Sequence, residues 1–257
     1  MELGLAGKVA LVAGGSAGMG RAIAAELLRE GATVSICGRD RDRLEAARAE
    51  LSALGKVTAT AVDVRDNAGV RDWVDRTAAD HGALHIVVAN GGGPPAGQTG
   101  EFDLDGFRAA LELSLLSQVG MVQAALPQLR RAGWGRILLI ASETVRQPIP
   151  EYALSNVVRP GLVGYTKSLV RELGPSAITV NVLAPGYTAT APVLDGLDPS
   201  SDVDSQLAAV AIQAGIPLGR VGQPEEIAAM AAFLASERAG FVTGTVQLID
   251  GGRTVGM

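Results

Sequence analysis

The chain has 257 residues, of which 47% are hydrophobic and 4% aromatic, so its length and composition suit one large α/β domain with an aliphatic core. Lys and Arg number 22 against 27 Asp and Glu, and the net charge of −5 argues against a nucleic-acid partner because phosphate binding needs a basic field. Because Cys37 is the single cysteine, an internal disulfide and a cysteine-based zinc site are excluded. The sequence shows neither an apolar run of membrane-spanning length nor a signal peptide, so we expect a cytoplasmic protein without a membrane partner.

Short aliphatic segments alternate with longer amphipathic ones along the chain. The predicted strands cover residues 8–12, 33–37, 57–62, 84–89, 136–141, 178–183 and 246–249. The predicted helices run from a glycine-rich turn to residue 30 and over residues 40–54, 67–81, 103–131 and 154–173. Because this alternation is typical of βαβ units, it predicts one doubly wound α/β domain over residues 1–257. The strands are nearly all apolar, so the seven-stranded, mostly parallel sheet should carry helices on both faces.

The two histidines do not form a convincing metal site. His81 and His85 lie four residues apart, but Gly82 stands between them and His85 falls into the next strand. We therefore expect no bound metal.

Residues 186–215 break the regular alternation. The segment contains Pro192, Gly196 and Pro199 with a polar stretch at 198–205, and its pattern leaves room for one short helix. Long irregular segments of compact domains often close over a site. We expect a substrate lid here, in preference to a surface insertion without function.

The first predicted strand leads directly into a glycine-rich turn and a helix. The turn is Gly14-Gly15-Ser16-Ala17-Gly18-Met19-Gly20. Backbone N–H groups of such a turn can approach a pyrophosphate, and the following helix presents the positive end of its dipole. Gly14 permits the tight turn, Gly18 leaves room for phosphates, and Gly20 lets the helix pack closely on the strand. Placed between a buried strand and a helix, this motif predicts a dinucleotide site.

Further motifs follow the later strands. They are Asp63-Val64, Asn90-Gly91, Asn181, Pro185-Gly186 with Thr188 and Thr190, Pro224-Glu225-Glu226-Ile227, and Gly244 with Asp250-Gly251-Gly252. Together with the glycine-rich turn they resemble the short-chain dehydrogenase/reductase family over nearly the whole chain, and among its subfamilies the 3-oxoacyl-carrier-protein reductases most. The resemblance implies a Rossmann domain with a nicotinamide cofactor that interconverts a carbonyl and an alcohol on a small-molecule substrate.

The resemblance also implies which residues bind the cofactor and how the chain assembles. The expected cofactor contacts are Gly14, Ser16, Ala17, Gly18, Met19 and Gly20 in the turn, and Asp63, Val64, Asn90, Gly91, Pro185, Gly186 and Thr188 after later strands. The helices at 103–131 and 154–173 match those that pair between subunits of family tetramers, so we expect a homo-oligomer, either a tetramer or a dimer.

The segment that follows the second strand bears on the choice of cofactor. An acid at this point would bind the ribose 2′-hydroxyl of NAD, whereas an arginine accommodates the 2′-phosphate of NADP. The chain has Arg39, which predicts NADP(H) in preference to NAD(H). The alternative is that Asp40 pairs with Arg39 or Arg41 in a solvated loop of charges.

The catalytic segment departs from the family, whose serine, tyrosine, lysine and helix asparagine act together. Ser142, at the end of the fifth strand, matches the serine. If Tyr152 is the catalytic tyrosine, the lysine position holds Asn156 and three extra residues must fit inside a helix. The ungapped alignment, which we prefer, places Ser155 at the tyrosine position and Arg159 at the lysine position.

The asparagine position falls on Ser114, so three of the four catalytic positions are altered. A serine hydroxyl has no accessible acid/base pKa without a dedicated base, so Ser155 cannot replace a tyrosine. Arg159 stays cationic and can hold the ribose or a substrate carboxylate. If the helix includes Tyr152, that side chain shares a face with Ser155. We hypothesise that Tyr152 then enters the pocket from another angle, assisted by Arg159.

Three functions remain compatible with these residues. The first is an NADP(H)-dependent oxidoreductase with rearranged acid/base residues, and the second is a dinucleotide-binding protein with little or no redox turnover. The third is a non-redox enzyme on the same scaffold, as in halohydrin dehalogenases, which pair serine and tyrosine with arginine but lack the glycine-rich turn. Since this chain keeps the turn, we favour the first two and expect the first.

Overall fold

The computed structural model describes residues 2–256, and its strands form one parallel sheet in the order β3-β2-β1-β4-β5-β6-β7. The strands are β1 (Val9–Ala13), β2 (Thr33–Gly38), β3 (Val57–Ala61), β4 (Ile86–Ala89), β5 (Gly135–Ile140), β6 (Ile178–Pro185) and β7 (Val246–Ile249). The helices are α1 (Gly18–Arg29), α2 (Arg41–Leu51), α3 (Asn67–His81), α4 (Leu104–Leu111), α5 (Ser117–Ala132), α6 (Ala153–Val158), α7 (Pro160–Leu173), α8 (Ala191–Leu194), α9 (Val203–Gln213) and α10 (Pro224–Ala235).

The predicted α/β fold is confirmed, with differences in detail. Every neighbouring strand pair is parallel, where the sequence predicted a mostly parallel sheet. The predicted helix 154–173 is interrupted at Arg159, because Pro160 has no N–H to donate to the preceding turn. The segment 186–215 holds two helices, α8 and α9, instead of one. Helix α10 begins with the Pro224-Glu225-Glu226-Ile227 motif and continues to Ala235.

Side chains of successive strand residues point to opposite faces of the sheet, and this divides the core into two layers. From β1, Ala10 and Val12 pack with residues of α1, α2 and α10, whereas Leu11 and Ala13 pack with residues of α3, α5 and α7. All four are fully buried. Most strand residues are therefore apolar because helices cover both faces of the sheet, whereas the edge strand β3 contains threonines and is only half-buried.

One continuous helical stretch runs from Leu104 to Ala132 and includes a π-helical turn at Glu112–Leu116. It is long and apolar enough to span a membrane by length and composition, whereas the sequence had predicted no apolar run of that length. Met121, Val122 and Leu129 of this stretch are buried against the sheet. Core helices of domains pass the same test of length and composition, so the stretch is weak evidence for a membrane span.

The strand order reverses between β1 and β4, which are adjacent in the sheet. The chain proceeds from β1 to one side and returns to β4 on the other, so the connections leaving these two strands diverge. In open α/β sheets, the crevice beyond the carboxyl ends of such strands is where ligands bind. The loops that follow β1 and β4 begin at Gly14 and Asn90, so the fold brings two of the predicted motifs together.

Candidate active site

The glycine-rich turn joins β1 to α1 with the backbone that its glycines require. Gly14 and Gly18 have φ angles of +66° and +51°, which L-residues with side chains rarely adopt. A Cβ atom on Gly20 would overlap the carbonyl oxygen of Gly14, so only glycine lets α1 approach the turn this closely. Sequence and backbone therefore agree on why these positions are glycine.

The first turn of α1 has free backbone donors. Its N-cap residue, Ala17, has no side-chain cap, and the turn contains no acidic residue. By contrast, α2 and α3 are capped by the residues that precede them, Asp40 and Asp66, whose carboxylates accept hydrogen bonds from backbone N–H groups of their helices. The unsatisfied N–H groups and the dipole of α1 are thus available to an anion such as a pyrophosphate.

A cavity of about 150 Å³ opens beside this turn, at the carboxyl ends of β1, β2 and β4. Its lining includes many of the predicted cofactor residues. The lining residues are Gly14, Ser16, Gly38, Arg39, Arg43, Val62, Asp63, Val64, Asn90, Gly91, Gly92 and Leu113. The predicted residues Ala17, Gly18, Met19 and Gly20 lie on the adjoining turn and the start of α1. The uncapped helix, the glycine backbone and this cavity together fit a dinucleotide.

Charged side chains are unevenly distributed around this cavity. Asp40 does not pair with Arg39 or Arg41, because its carboxylate accepts a 3.0 Å hydrogen bond from the Arg43 N–H and caps α2. Arg39 has no carboxylate within 4 Å among residues 2–256 and faces the cavity. The alternative of a self-paired charged loop is therefore wrong for Asp40.

Asp63 lies on the same cavity and has a cation of its own. Arg65 contacts its carboxylate through Nη2 at 2.6 Å and through Nε at 3.1 and 3.2 Å. This guanidinium lowers the pKa of Asp63 to about 2. Asp63 is therefore ionised and paired with Arg65, and Arg39 acts on its carboxylate only through space and less than Arg65 does.

The segment after β6 faces the glycine-rich turn from the other side. The N–H of Gly186 donates to Ile249 at 2.9 Å, and the Thr188 hydroxyl donates to the Gly186 carbonyl at 3.0 Å. A Cβ on Gly18 would lie 3.2 Å from the side chain of Thr190. Thr190 thus lies at the start of α1, and the predicted cofactor residues Pro185, Gly186 and Thr188 precede it on the same segment, so one extended ligand can touch this segment and α1.

The predicted catalytic positions come together beyond the ends of β4 and β5. The Arg159 N–H donates to the Ser155 carbonyl at 3.1 Å, so the two residues lie one helical turn apart. Ser155 is buried, and its hydroxyl lies 2.9 Å from the Thr144 hydroxyl. Ser142 lies two residues beyond the end of β5 and accepts a 3.3 Å hydrogen bond from the Thr144 N–H. Ser142 is thus at the crevice, while the Ser155 hydroxyl is engaged within the protein.

Arg159 is buried and its guanidinium binds backbone carbonyls. Nη1 donates to Ile140 at 3.1 Å and Nη2 donates to Gly92 at 2.9 Å, while Nε has no partner among the described residues. Ser114, in the π-helical turn, donates to the same Gly92 carbonyl at 3.3 Å. Burial lowers the pKa of Arg159 to about 10, which leaves it charged at neutral pH. Ser114 and Arg159 therefore brace the loop after β4.

Tyr152 does not lie on the helix with Ser155, which corrects the hypothesis of a shared face. It is the residue before α6, with φ −115° and ψ 39°. Its ring packs against that of Tyr187 with centroids 6.5 Å apart and an interplanar angle of 74°. Burial, followed by the neighbouring Tyr187, raises the pKa of Tyr152 to about 12. The charged groups that act on this phenol are Arg253 and Glu143, so the predicted assistance from Arg159 is not what the structure shows.

Glu143 and Arg253 are site residues that the sequence analysis missed as a pair. Glu143 Oε1 and Arg253 Nη1 lie 3.1 Å apart, and their side chains are only 3% and 16% exposed. Burial raises the pKa of Glu143, and Arg253 opposes this shift. The only signal in the sequence was that Glu143, an acidic residue, directly follows a buried strand and Ser142. A carboxylate in that position needs a cation, but the spacing of residues along the chain does not show which one.

Known proteins are similar to this chain over nearly its whole length. A family model described as enoyl-(acyl carrier protein) reductase matches residues 13–254. The chain belongs to the short-chain dehydrogenase/reductase family. The 2-dehydro-3-deoxy-L-rhamnonate dehydrogenase (NAD(+)) of Sphingomonas sp. (strain SKA58) is 34% identical to it over 97% of this chain and 96% of that protein.

Two solved structures of this family are also similar to the chain. L-sorbose reductase from Gluconobacter frateurii, complexed with NADPH and L-sorbose, has a TM-score of 0.94 and 31% identity, with both chains covered completely. An NADPH-bound short-chain oxidoreductase from Pseudomonas aeruginosa PAO1 that contains an atypical catalytic center has a TM-score of 0.93 and 30% identity, over 97% of this chain and 98% of that one. The predicted family and Rossmann-like fold are therefore confirmed.

Proposed function

We propose that this short-chain dehydrogenase/reductase is an NADP(H)-dependent oxidoreductase that interconverts a carbonyl and an alcohol with atypical acid/base residues. The observation that carries the proposal is the uncapped start of α1 beside a cavity lined by Gly14, Ser16 and Arg39. A pyrophosphate fits the free N–H groups, and the adenosine half of a dinucleotide fits the cavity. When bound, the nicotinamide supplies or accepts the hydride.

The preference for NADP(H) rests on the charges around the cavity. Arg39 and Arg43 both line it, and Asp40 is engaged as the cap of α2. A guanidinium forms charge-assisted hydrogen bonds with a phosphate, so these arginines would hold a 2′-phosphate. Relatives bind either form: the two neighbours above hold NADPH, while the Sphingomonas dehydrogenase is named for NAD(+).

The acid/base role goes to Tyr152, with Ser142 as the hydrogen-bonding partner of the substrate oxygen. Ser155 is a poor candidate because its hydroxyl is paired with Thr144 and no base adjoins it. A phenol whose pKa is raised to about 12 stays protonated at neutral pH, so Tyr152 carries the proton that the oxygen of a reduced carbonyl must receive, and the neighbouring Arg253 lowers this pKa and so eases its release. Arg159 acts here by holding the Gly92 carbonyl and hence the loop along the cofactor.

A second function has its own support. The buried pairing of Ser155 with Thr144, at the position where the family has its tyrosine, favours a dinucleotide-binding protein with little or no redox turnover. In that case Tyr152 and Tyr187 would only line a ligand pocket.

The remaining proposals concern the surroundings of the site. Residues 186–215 would act as a substrate lid, since α8 and α9 follow directly on Gly186 and Thr188. Exposed Leu111, Leu116 and Val157 on the helices from 104 to 173 support a homo-oligomer, a dimer or tetramer. We also propose a small-molecule substrate and a cytoplasmic location.

Calorimetric titration with NADPH and NADH tests the proposal first. We expect NADPH to bind the purified protein more tightly than NADH, and absence of binding by both would overturn the oxidoreductase function. Turnover on a panel of ketoses and other carbonyl compounds then separates the two candidates. Tyr152→Phe should reduce kcat by about 10²–10⁴-fold and leave the Kd for NADPH unchanged. Ser155→Ala is the matched control and should retain most of the activity.

A further inference from the structure

The segment after β7 brings a guanidinium into the candidate active site. Arg253 Nη1 lies 3.1 Å from Glu143 Oε1, and its Nε donates to the carbonyl of Ala214 at 2.7 Å. The same guanidinium lies 5.1 Å from the ring centre of Tyr187. Arg253 therefore contacts the turn after Ser142, the segment after β6 and the end of α9.

Glu143 depends on this contact. Its side chain is 3% exposed, and Arg253 is the only cation within 4 Å of its carboxylate among the described residues. The other oxygen, Oε2, has the Thr254 hydroxyl at 3.5 Å, so both of its neighbours come from the segment after β7. Separating the two partners of a buried ion pair would leave each charge uncompensated, and this free-energy cost keeps Glu143 and Arg253 together. Glu143 thus anchors Arg253 directly beside Ser142.

Tyr187 connects Arg253 to Tyr152 because its ring contacts both side chains. The Arg253 guanidinium lies over the Tyr187 ring, and the edge of one tyrosine ring packs on the face of the other at 6.5 Å between centroids. Among the described residues, Tyr187 is the side chain that packs on the Tyr152 ring and raises the pKa of its hydroxyl, and Tyr152 precedes α6 instead of lying within it. Its orientation therefore depends on Tyr187, and that of Tyr187 depends on Arg253.

We propose that Arg253, anchored by Glu143, is a positioning residue that orients the Tyr152 hydroxyl toward the substrate oxygen beside Ser142. This rests on the proposed function. During reduction the carbonyl carbon gains a hydride from the reduced nicotinamide cofactor, and the Tyr152 O–H bond breaks as its proton passes to the substrate oxygen. The phenolate then regains a proton from solvent. The guanidinium charge favours that transient phenolate, while the Glu143 charge opposes it.

The chain contains only three tyrosines, which makes a direct test of the geometry possible. Protein labelled with 3-fluorotyrosine gives one ¹⁹F NMR resonance each for Tyr152, Tyr165 and Tyr187, assigned with single Tyr→Phe variants. Arg253→Met should shift the resonances of Tyr152 and Tyr187 and leave that of Tyr165, which packs against the core layer formed with α3, α5 and α7, unchanged. A shift confined to Tyr187 would overturn the proposal.

Kinetics provide the second readout. Arg253→Met should lower kcat by about 10–100-fold through misplacement of Tyr152, with the Kd for NADPH unchanged. The pH profile of alcohol oxidation should also move to higher pH, because the phenolate loses its cation. Glu143→Gln should show a smaller loss in the same direction, and Arg253→Lys a partial rescue. Arg108→Met, which breaks an exposed ion pair with Asp105 on α4, is the matched control and should behave as wild type.

The outcomes separate this proposal from the proposed function. If wild-type protein fails to bind NADPH, the proposed function is overturned, while the ¹⁹F spectra still decide whether Arg253 orients Tyr152. If wild type turns over and Arg253→Met, Arg253→Lys and Glu143→Gln all retain kcat and the pH profile, Arg253 is not a positioning residue. Should Arg253→Met fail to fold, Arg253→Lys and Glu143→Gln carry the same test.

Discussion

Nη2 of Arg159 donates a hydrogen bond of 2.9 Å to the carbonyl of Gly92, which joins the residue at the family's lysine position to the loop after β4. Gly92 lines the cavity that also contains Gly14 and Asn90. No side-chain hydrogen bond links Arg159 to Tyr152 in the described part of the chain. Arg159 therefore acts on the cofactor site by binding the Gly92 carbonyl, and it takes no direct part in acid/base chemistry at Tyr152.

Substitution of Arg159 should affect cofactor binding more than stability. The two carbonyls that it binds keep a second donor each, Gln118 Nε2 at Ile140 and Ser114 at Gly92. Arg159→Met also removes a buried charge, so we expect the free energy of unfolding to change by about 1 kcal/mol or less. The Kd for NADPH should rise by about 10-fold as the loop loses its brace. Urea unfolding and calorimetry measure the two effects, and an unchanged Kd would contradict this role.

Gly20 should tolerate no side chain. A Cβ there would overlap the Gly14 carbonyl, so Gly20→Ala must displace the turn from α1. We expect a loss of about 1–3 kcal/mol in unfolding free energy, as for other overpacked sites, together with weaker NADPH binding. Gly106→Ala on α4 is the control, since its Cβ would meet only ordinary contacts at 3.5 Å or more. Equal behaviour of the two variants in thermal unfolding would show that the turn can relax.

Arg39 should discriminate between the two cofactors. Removing a charge-assisted hydrogen bond to the 2′-phosphate in Arg39→Ala should raise the Kd for NADPH by about 10–100-fold. The Kd for NADH, which has no such phosphate, should stay within about 2-fold. Arg41→Ala is the neighbouring control, because Arg41 is the first residue of α2 and does not line the cavity. If both cofactors weaken equally, Arg39 acts on the shape of the loop and not on the phosphate.

His85 should make stability depend on pH. Its Nδ1 accepts a 3.0 Å hydrogen bond from the Val9 N–H, and burial followed by Lys8 lowers its pKa below 6.5. The unfolded chain therefore binds a proton more readily than the folded one. The stabilisation by neutral His85 is fully present above about pH 6.5 and is lost as the pH falls through the lower folded-state pKa.

Urea midpoints at pH 7.5 and 5.5 test this dependence. The wild-type midpoint should fall more between these pH values than that of His85→Gln, which cannot titrate. His81→Gln shows how much of the fall belongs to the other histidine, since burial lowers the pKa of His81 as well. Identical slopes for wild type and His85→Gln would mean that His85 is not responsible.

The sequence was sufficient for the parts of the protein that depend on local pattern. The alternation of aliphatic and amphipathic segments predicted each strand to within two residues of its observed ends, since burial between two helix layers imposes continuous apolar runs. The glycine positions of the turn were predictable because a positive φ or a close backbone approach admits no other residue. Boundaries such as the break before Pro160 were missed, although proline makes that break predictable in principle.

The directions of side chains were not predictable in the same way. Arg159 was expected beside Tyr152, and instead reaches the carbonyls of Ile140 and Gly92. The cation near Tyr152 is Arg253, which comes from the far end of the chain. Spacing along one helix fixes which residues share a face, but Tyr152 precedes that helix and so escapes the rule.

By itself, the sequence determined the α/β fold and the glycine-rich turn that suits a dinucleotide, because both follow from residues adjacent in the chain. Only the tertiary structure decided that Arg39 lines the cavity and that Glu143 and Arg253 form a buried pair beside Ser142. This pair joins the segments that follow β5 and β7, and the packing of the sheet, not the spacing of residues, brings those segments together.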